Sequence, residues 1–284
     1  MGEQIIETNG VQICTESFGS PSNPALLLIN GATQSMVYWD TAFCEQLADK
    51  GMFVIRYDNR DVGRSTVYEL GKSNYSVKDM ANDGINVLNS YHIDKANVMG
   101  MSLGGMIAQV LTHHYPDRVL SLTLLSTSLF GGENSSLDLP PMDSRILEHH
   151  AQGQNVDWSN KEEVKKYLVE GGKLLSGSKY GYEEQRIRKQ AREEFDRANN
   201  LTSMFNHASL TGDDYYNDKI KAIQVPTLII HGTEDLVLPY EHGLALKNEI
   251  PNSEMLALEG SGHEFHTKEW PKIIDAIKNH VVKE

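Results

Sequence analysis

The segment Gly100-Met101-Ser102-Leu103-Gly104-Gly105 has the residue types and spacing of an activated serine. It follows an apolar run, Ala96–Met99, and opens a stretch of helical spacing, Leu103–Tyr115, closed by Pro116. In that setting a G-x-S-x-G pattern has a mechanical meaning: the chain turns sharply from strand to helix and holds the serine hydroxyl clear of the backbone. Glycine is needed at 100 and 104 because a Cβ there would collide with the neighbouring strand or helix. Ser102 also stands at a helix N-terminus, where unpaired N–H groups and the dipole favour negative charge. A hydroxyl is a poor nucleophile near neutral pH, so it needs a base, and the base needs an orienting group.

Both partners are present further along, in the chain order serine, acid, histidine. Asp235 follows the apolar run Thr227–Ile230, within His231-Gly232-Thr233-Glu234-Asp235. His263 follows Met255–Leu258, within Gly260-Ser261-Gly262-His263, where the glycines give the backbone freedom to turn. His263 would be the general base and acid, and Asp235 the carboxylate that stabilises its imidazolium. Neighbouring residues compete for these roles. Glu234 reads as a solvated loop acid, His266 as the start of the last helix, and His231 as a structural strand-end residue. The adjacent pairs His113-His114 and His149-His150 lack the i,i+4 spacing that binds zinc, and read as surface or packing residues. Acyl transfer further requires oxyanion donors, each worth roughly 3–4 kcal/mol in the transition state. The backbone N–H of Leu103 is one. Ala32 N–H is the other, from the loop Asn30-Gly31-Ala32-Thr33-Gln34-Ser35 after the run Ala25–Ile29. Gly31 would let this loop fold close to the reacting carbon.

These residues need elements to position them. Gln4–Glu7 and Val11–Ser17 flank Asn9-Gly10, a hairpin signal. Ala25–Ile29 is continuously apolar and reads as a strand buried on both faces. A helix over Tyr38–Lys50, a strand at Phe53–Ile55, a helix over Ser76–Tyr91 capped by Ser76 and Asp79, and a strand at Leu120–Leu125 continue the alternation. It resumes with Thr227–Ile230, the helix Tyr240–Asn248, the strand Met255–Leu258 and a helix over Lys268–Lys283. Strand–helix alternation implies crossover units and a parallel sheet, with function at the carboxyl ends of the strands. Residues 131–219 interrupt the pattern: they hold polar helical stretches at Lys161–Glu170 and Glu183–Asn199 and no convincing buried strand.

Together these pieces resemble the α/β-hydrolase fold superfamily, over about Val11–Ser128 and Ile220–Val282. The resemblance implies a mostly parallel eight-stranded sheet with helices on both faces, a core of 1–130 and 220–284, and a helical lid at 131–219. Arg56-Tyr57-Asp58-Asn59-Arg60-Asp61-Val62-Gly63-Arg64-Ser65 looks like the Y-D-x-R-D-x-G-x-S loop of small-molecule esterases, with aclacinomycin methylesterase-like proteins the nearest subgroup. In such relatives the loop is structural, which implies that Arg60 and Asp61 pair with each other or with backbone. Many members carry His-Gly where this chain has Asn30-Gly31, a departure that bears on substrate orientation rather than on the chemistry. Ser102, rather than an aspartate, argues against epoxide opening and halide displacement.

The expected activity is therefore cleavage of a small-molecule carboxylic ester. The same residues would serve carbon–carbon, amide or lactone hydrolysis, or cofactor-free peroxidation of carboxylic acids. A ligand receptor on this fold, with very slow turnover, is the alternative outside enzymology. The substrate would meet Thr33, Met101, Phe130, Met204 and Phe205, with Met142, Tyr167, Leu168 and Tyr216 as further pocket candidates in the lid. No cofactor motif and no metal-ligand spacing occurs, so neither a cofactor nor a metal is expected. With 26 Lys and Arg against 39 Asp and Glu, the 284 residues carry a formal charge of −13. That acidity argues against nucleic acid and anionic lipid as partners. Two cysteines, Cys14 and Cys44, do not make a disulfide scaffold. No apolar run approaches the ~20 residues of a membrane span. Met1–Ile6 lacks the basic and apolar regions of a signal peptide. We expect a cytoplasmic monomer or homodimer.

Overall fold

A computed structural model of the chain describes residues 2–131, 138–210 and 217–281. Eight strands form one sheet in the order β1-β2-β4-β3-β5-β6-β7-β8. They are β1 (Gln4–Thr8), β2 (Val11–Phe18), β3 (Ala25–Ile29), β4 (Phe53–Tyr57), β5 (Ala96–Met101), β6 (Val119–Leu125), β7 (Thr227–Gly232) and β8 (Ser253–Leu258). The pairs β1–β2 and β2–β4 are antiparallel, and the rest are parallel. The first hairpin turns at Asn9 and Gly10, at φ 48° and 80°, as the Asn-Gly pair predicts.

The strand order places the site. From β3 the chain winds outward to β4, then crosses back to β5 and proceeds the other way to β8. The switch point lies between β3 and β5, where open α/β sheets bind ligands. Ile29 pairs with Gly100 across that gap, so the loop after β3 and the turn after β5 leave the sheet side by side.

Helices cover both faces. All five residues of β3 are buried, and they alternate between two cores. Leu27 and Ile29 join Met80 and Leu111, on the side of α2 (Val77–Ser90) and α3 (Leu103–His114). Leu26 and Leu28 join Phe43, Leu47 and Ile277, on the side of α1 (Thr41–Asp49) and α9 (Trp270–His280). Ser76 and Asp79 make the expected reciprocal capping box on α2. Helix α1 starts three residues later than its spacing predicts. Asp40 caps it by accepting from Ala42 N–H, and Arg56 Nη1 takes the Trp39 carbonyl, which holds Trp39 outside the helix.

Between β6 and β7 lie α4 (Ser144–Gln152), α5 (Lys161–Leu174), α6 (Glu184–Arg197), a 3-10 run over Thr202–Ser209 and a short α7 (Asn217–Ile220). Helix α8 (Tyr240–Glu249) follows β7. The hydrophobic pattern does not reveal α4, because its buried face is Ile146 and His149 rather than a stripe of aliphatics.

Candidate active site

Ser102 sits between β5 and α3 with φ 52° and ψ −124°. A positive φ on a residue with a Cβ costs of order 1–3 kcal/mol and persists only where the surroundings enforce it. Here Ser102 N–H donates to Leu125 O at 3.0 Å, and Thr127 Oγ1 and Gly105 N–H donate to Ser102 O at 2.6 and 2.9 Å. The glycines permit the crossing. A Cβ on Gly104 would stand 2.2 Å from Ile29 O, and one on Gly100 2.1 Å from Gly104 O. The strain is thus built into the packing of α3 against the end of β3.

Asp235 and His263 come together from the loops after β7 and β8. His263 Nδ1 lies 2.7 Å from Asp235 Oδ2 and, facing a carboxylate, is the donor. The other carboxylate oxygen accepts from Val237 and Leu238 N–H, both at 2.8 Å. Burial alone would raise the Asp235 carboxyl, but the neighbouring His263 and the Leu238 N–H that it accepts hold it below its usual range. Asp235 is therefore a fixed anion, and His263 keeps Nε2 for a second partner. Leu175 O and Gly262 meet so closely that a Cβ on Gly262 would stand 2.2 Å from that oxygen. Close approach, more than a turn, is what Gly262 provides.

The competing groups are occupied elsewhere. His231 is buried, donates from Nε2 to Leu238 O at 2.7 Å, and is held neutral by burial. Glu234 accepts from Ser178 N–H and Oγ at 2.7 Å each. His266 caps the turn before α9. Arg60 and Asp61 do not pair with each other. Arg60 makes a two-pronged bond to Asp83 at 2.7 and 2.8 Å, while Asp61 accepts from Tyr75 Oη, Tyr68 N–H and Asn206 Nδ2. Neighbouring residues on a tight turn point apart, which separates them.

On the β3 side, Asn30 Nδ2 donates to Tyr57 O at 3.1 Å, and Asn59 Nδ2 donates to Asn30 O at 3.2 Å. The N–H of Leu103 is the first of α3 and has no partner within the helix.

These loops open on a cavity of about 550 Å³. Ala32, Thr33, Met101 and His263 line it from the sheet loops, and Met142, Tyr167, Leu168, Met204 and Phe205 from the inserted segment, while Ser102 itself, beside Met101, is not a lining residue. Phe130 does not line it. Its N–H is held by Gln109 Oε1 and its ring joins the core beside α2 and α3, because the chain after β6 turns inward. Tyr216 lies outside the described residues. The sequence reading missed His149 and His150, which line the cavity; His149 stacks on Tyr167 with centroids 4.3 Å apart. Their signal was a histidine on the inner face of a helix too polar to detect. Trp39 Nε1 and Gln190 Oε1, on two further lining residues, have no hydrogen-bond partner among the described residues. Among those residues no group of three or more His, Cys, Asp or Glu is arranged to hold a metal ion, and no helix is long and apolar enough to cross a membrane.

Known proteins align with this chain over most of its length. The family profile described as alpha/beta hydrolase fold matches residues 24–269. Rhodomycin D methylesterases DauP of Streptomyces sp. (strain C5) and DnrP of Streptomyces peucetius are each 29% identical, over 93% of this chain and 92% of theirs. The solved structure of Est816, described as an N-acyl homoserine lactone degrading enzyme, is 26% identical, with a TM-score of 0.74 over 98% of this chain and all (100%) of that one.

Proposed function

The chain belongs to the α/β hydrolase fold family, and we propose that it is a serine hydrolase cleaving a small-molecule carboxylic ester through an acyl-enzyme. One observation carries the reading: a strained serine at the switch point of the sheet shares its end of the fold with a histidine already oriented by a buried carboxylate. Ser102 Oγ attacks the ester carbonyl while His263 Nε2 takes its proton. The tetrahedral oxyanion is bound by Ala32 and Leu103 N–H. Its collapse expels the alcohol, which takes the proton from His263, and leaves Ser102 acylated. His263 then removes a proton from water, which attacks the acyl carbon; collapse of the second tetrahedral intermediate breaks the bond to Ser102 Oγ, which takes that proton back from His263, and releases the acid. Asp235 stays ionised and keeps the imidazolium stable and aligned.

The methylesterase relatives support an ester as substrate, and residues 131–219 act in this reading as the lid over it. The likeness to the lactone-degrading structure favours a cyclic ester as the second reading. A fluorophosphonate probe tests the core of the proposal. Ser102 should carry the label, and Ser102→Ala should lose both labelling and turnover of p-nitrophenyl esters. Labelling at another residue, or none, would sink it. Comparing linear esters with lactones then separates the two substrates.

A further inference from the structure

We infer that His207 is a positioning residue for acyl transfer, holding the loop whose Ala32 N–H faces the oxyanion. The inference rests on the ester-hydrolase reading and extends it to a residue of the inserted segment.

Thr33 has φ 63°, in the left-handed region. For a β-branched residue this is an outlier that the surroundings must enforce. The Ala32–Thr33 peptide is pinned on both sides. Thr33 Oγ1 donates to Ala32 O at 2.6 Å, and Thr33 N–H donates to His207 Nδ1 at 3.0 Å. Because a backbone N–H can only donate, Nδ1 must offer a lone pair. The ring is then neutral, with its proton on Nε2, which donates to Arg60 O at 2.8 Å. Burial also holds His207 below the ordinary imidazole range. Upstream, Asn30 is fixed to Tyr57 and Asn59. The Gly31–Ala32 peptide therefore lies between two anchored points. Thr33 N–H is engaged by His207 and so is withdrawn from the loop's donors toward Ser102, among which the ester-hydrolase reading takes Ala32.

His207 is itself held. Its 3-10 run docks on the 58–71 loop through Asn206 Nδ2 to Asp61 Oδ2 at 3.1 Å, Gly71 N–H to Asn206 Oδ1 at 2.8 Å, and Ser203 Oγ to Asp61 O at 2.8 Å. A residue more than a hundred positions from Ser102 in sequence thus sets the backbone beside it.

Two substitutions separate this role from simple packing. His207→Asn keeps an acceptor where Nδ1 stands and loses the donor to Arg60. His207→Gln keeps a donor near the Nε2 position and loses the acceptor for Thr33. We expect fluorophosphonate labelling of Ser102 in H207N to stay within about threefold of the native rate. In H207Q it should fall at least about tenfold, in line with the cost of a displaced oxyanion donor. The kcat for p-nitrophenyl acetate should fall alongside, with little change in KM. Hydrogen exchange at the Thr33 amide should quicken in H207Q only. Equal losses in both variants, or native rates in both, would overturn the assignment. A native protein that takes no label would count against the ester-hydrolase reading instead, and unchanged Thr33 exchange in H207Q would still overturn the role of His207.

Discussion

Asp235 stands between two buried histidines, and only one of them reaches it well. His263 Nδ1 is 2.7 Å from Oδ2, whereas His231 Nε2 is 3.5 Å away and already bonded to Leu238 O. The carboxylate therefore selects one tautomer of His263. Asp235→Asn keeps the shape and removes that selection. The kcat for a p-nitrophenyl ester should fall by about 10³–10⁴, with the melting temperature little changed. A loss below tenfold would mean that Asp235 has no part in turnover. At this scale the strained turn at Ser102 and the pairing of His263 with Asp235 were legible in sequence, because residue type, chain order and strand-end position constrain them together. The role argued for His207 was not. A hydrogen bond from Thr33 N–H to a histidine 174 positions away leaves no local pattern. Phe130 misled for the opposite reason: an aromatic after a strand reads alike whether it faces a cavity or the core.

Elements with an aliphatic stripe were read closely, and so were the charge-laced helices α5 and α6, which lie at Lys161–Leu174 and Glu184–Arg197. Strand β3 and helix α2 lie where their patterns put them, while α4 was missed. What the pattern of α6 does not show is how the helix is docked. Glu194 is buried, accepts from Ser35 N–H at 2.9 Å and is bonded by the Ser35 hydroxyl, at the end of the loop after β3. Arg197, one turn on, pairs with buried Asp58 at 2.9 Å. Burial, with Asp58 nearby, pushes the Glu194 carboxyl from 4.5 up to about 7, against the pull of Ser35 and Arg197. A carboxyl raised on folding holds its proton in the native state where the unfolded chain has lost it. Stability from this group thus falls as pH rises from about 4.5 to about 7, and is level above. Glu194→Gln removes that slope. Across the window the variant should gain on the native protein by at most about 3 kcal/mol. Denaturant unfolding of both proteins at pH 5 and pH 8 measures it. A stability difference that does not change with pH would show that Glu194 ionises as freely when folded as when unfolded.

Across the whole molecule, the sheet and the inserted segment divide the work. The sheet brings Ser102, Asp235 and His263 to one end, which by itself says little about what is cleaved. Residues of α4, α5, α6 and the 3-10 run line the 550 Å³ cavity, and on the proposed reading they set which substrate fits. Its shape depends on a glycine. A Cβ on Gly171 of α5 would come within 2.7 Å of His149 Nε2. His149 cannot retreat freely, because its ring is stacked on Tyr167 at 14° between planes. In Gly171→Ala the imidazole must shift, and the room open to it is the cavity that it lines. A bulky polycyclic ester would then lose space that p-nitrophenyl acetate never uses. We expect kcat/KM for the bulky ester to fall by about tenfold, equivalent to about 1.4 kcal/mol of transition-state binding, with the acetate within about twofold of native. Equal loss on both substrates would place the damage at Ser102 or in the fold. No loss on either would mean that substrate does not reach the wall that α4 and α5 build.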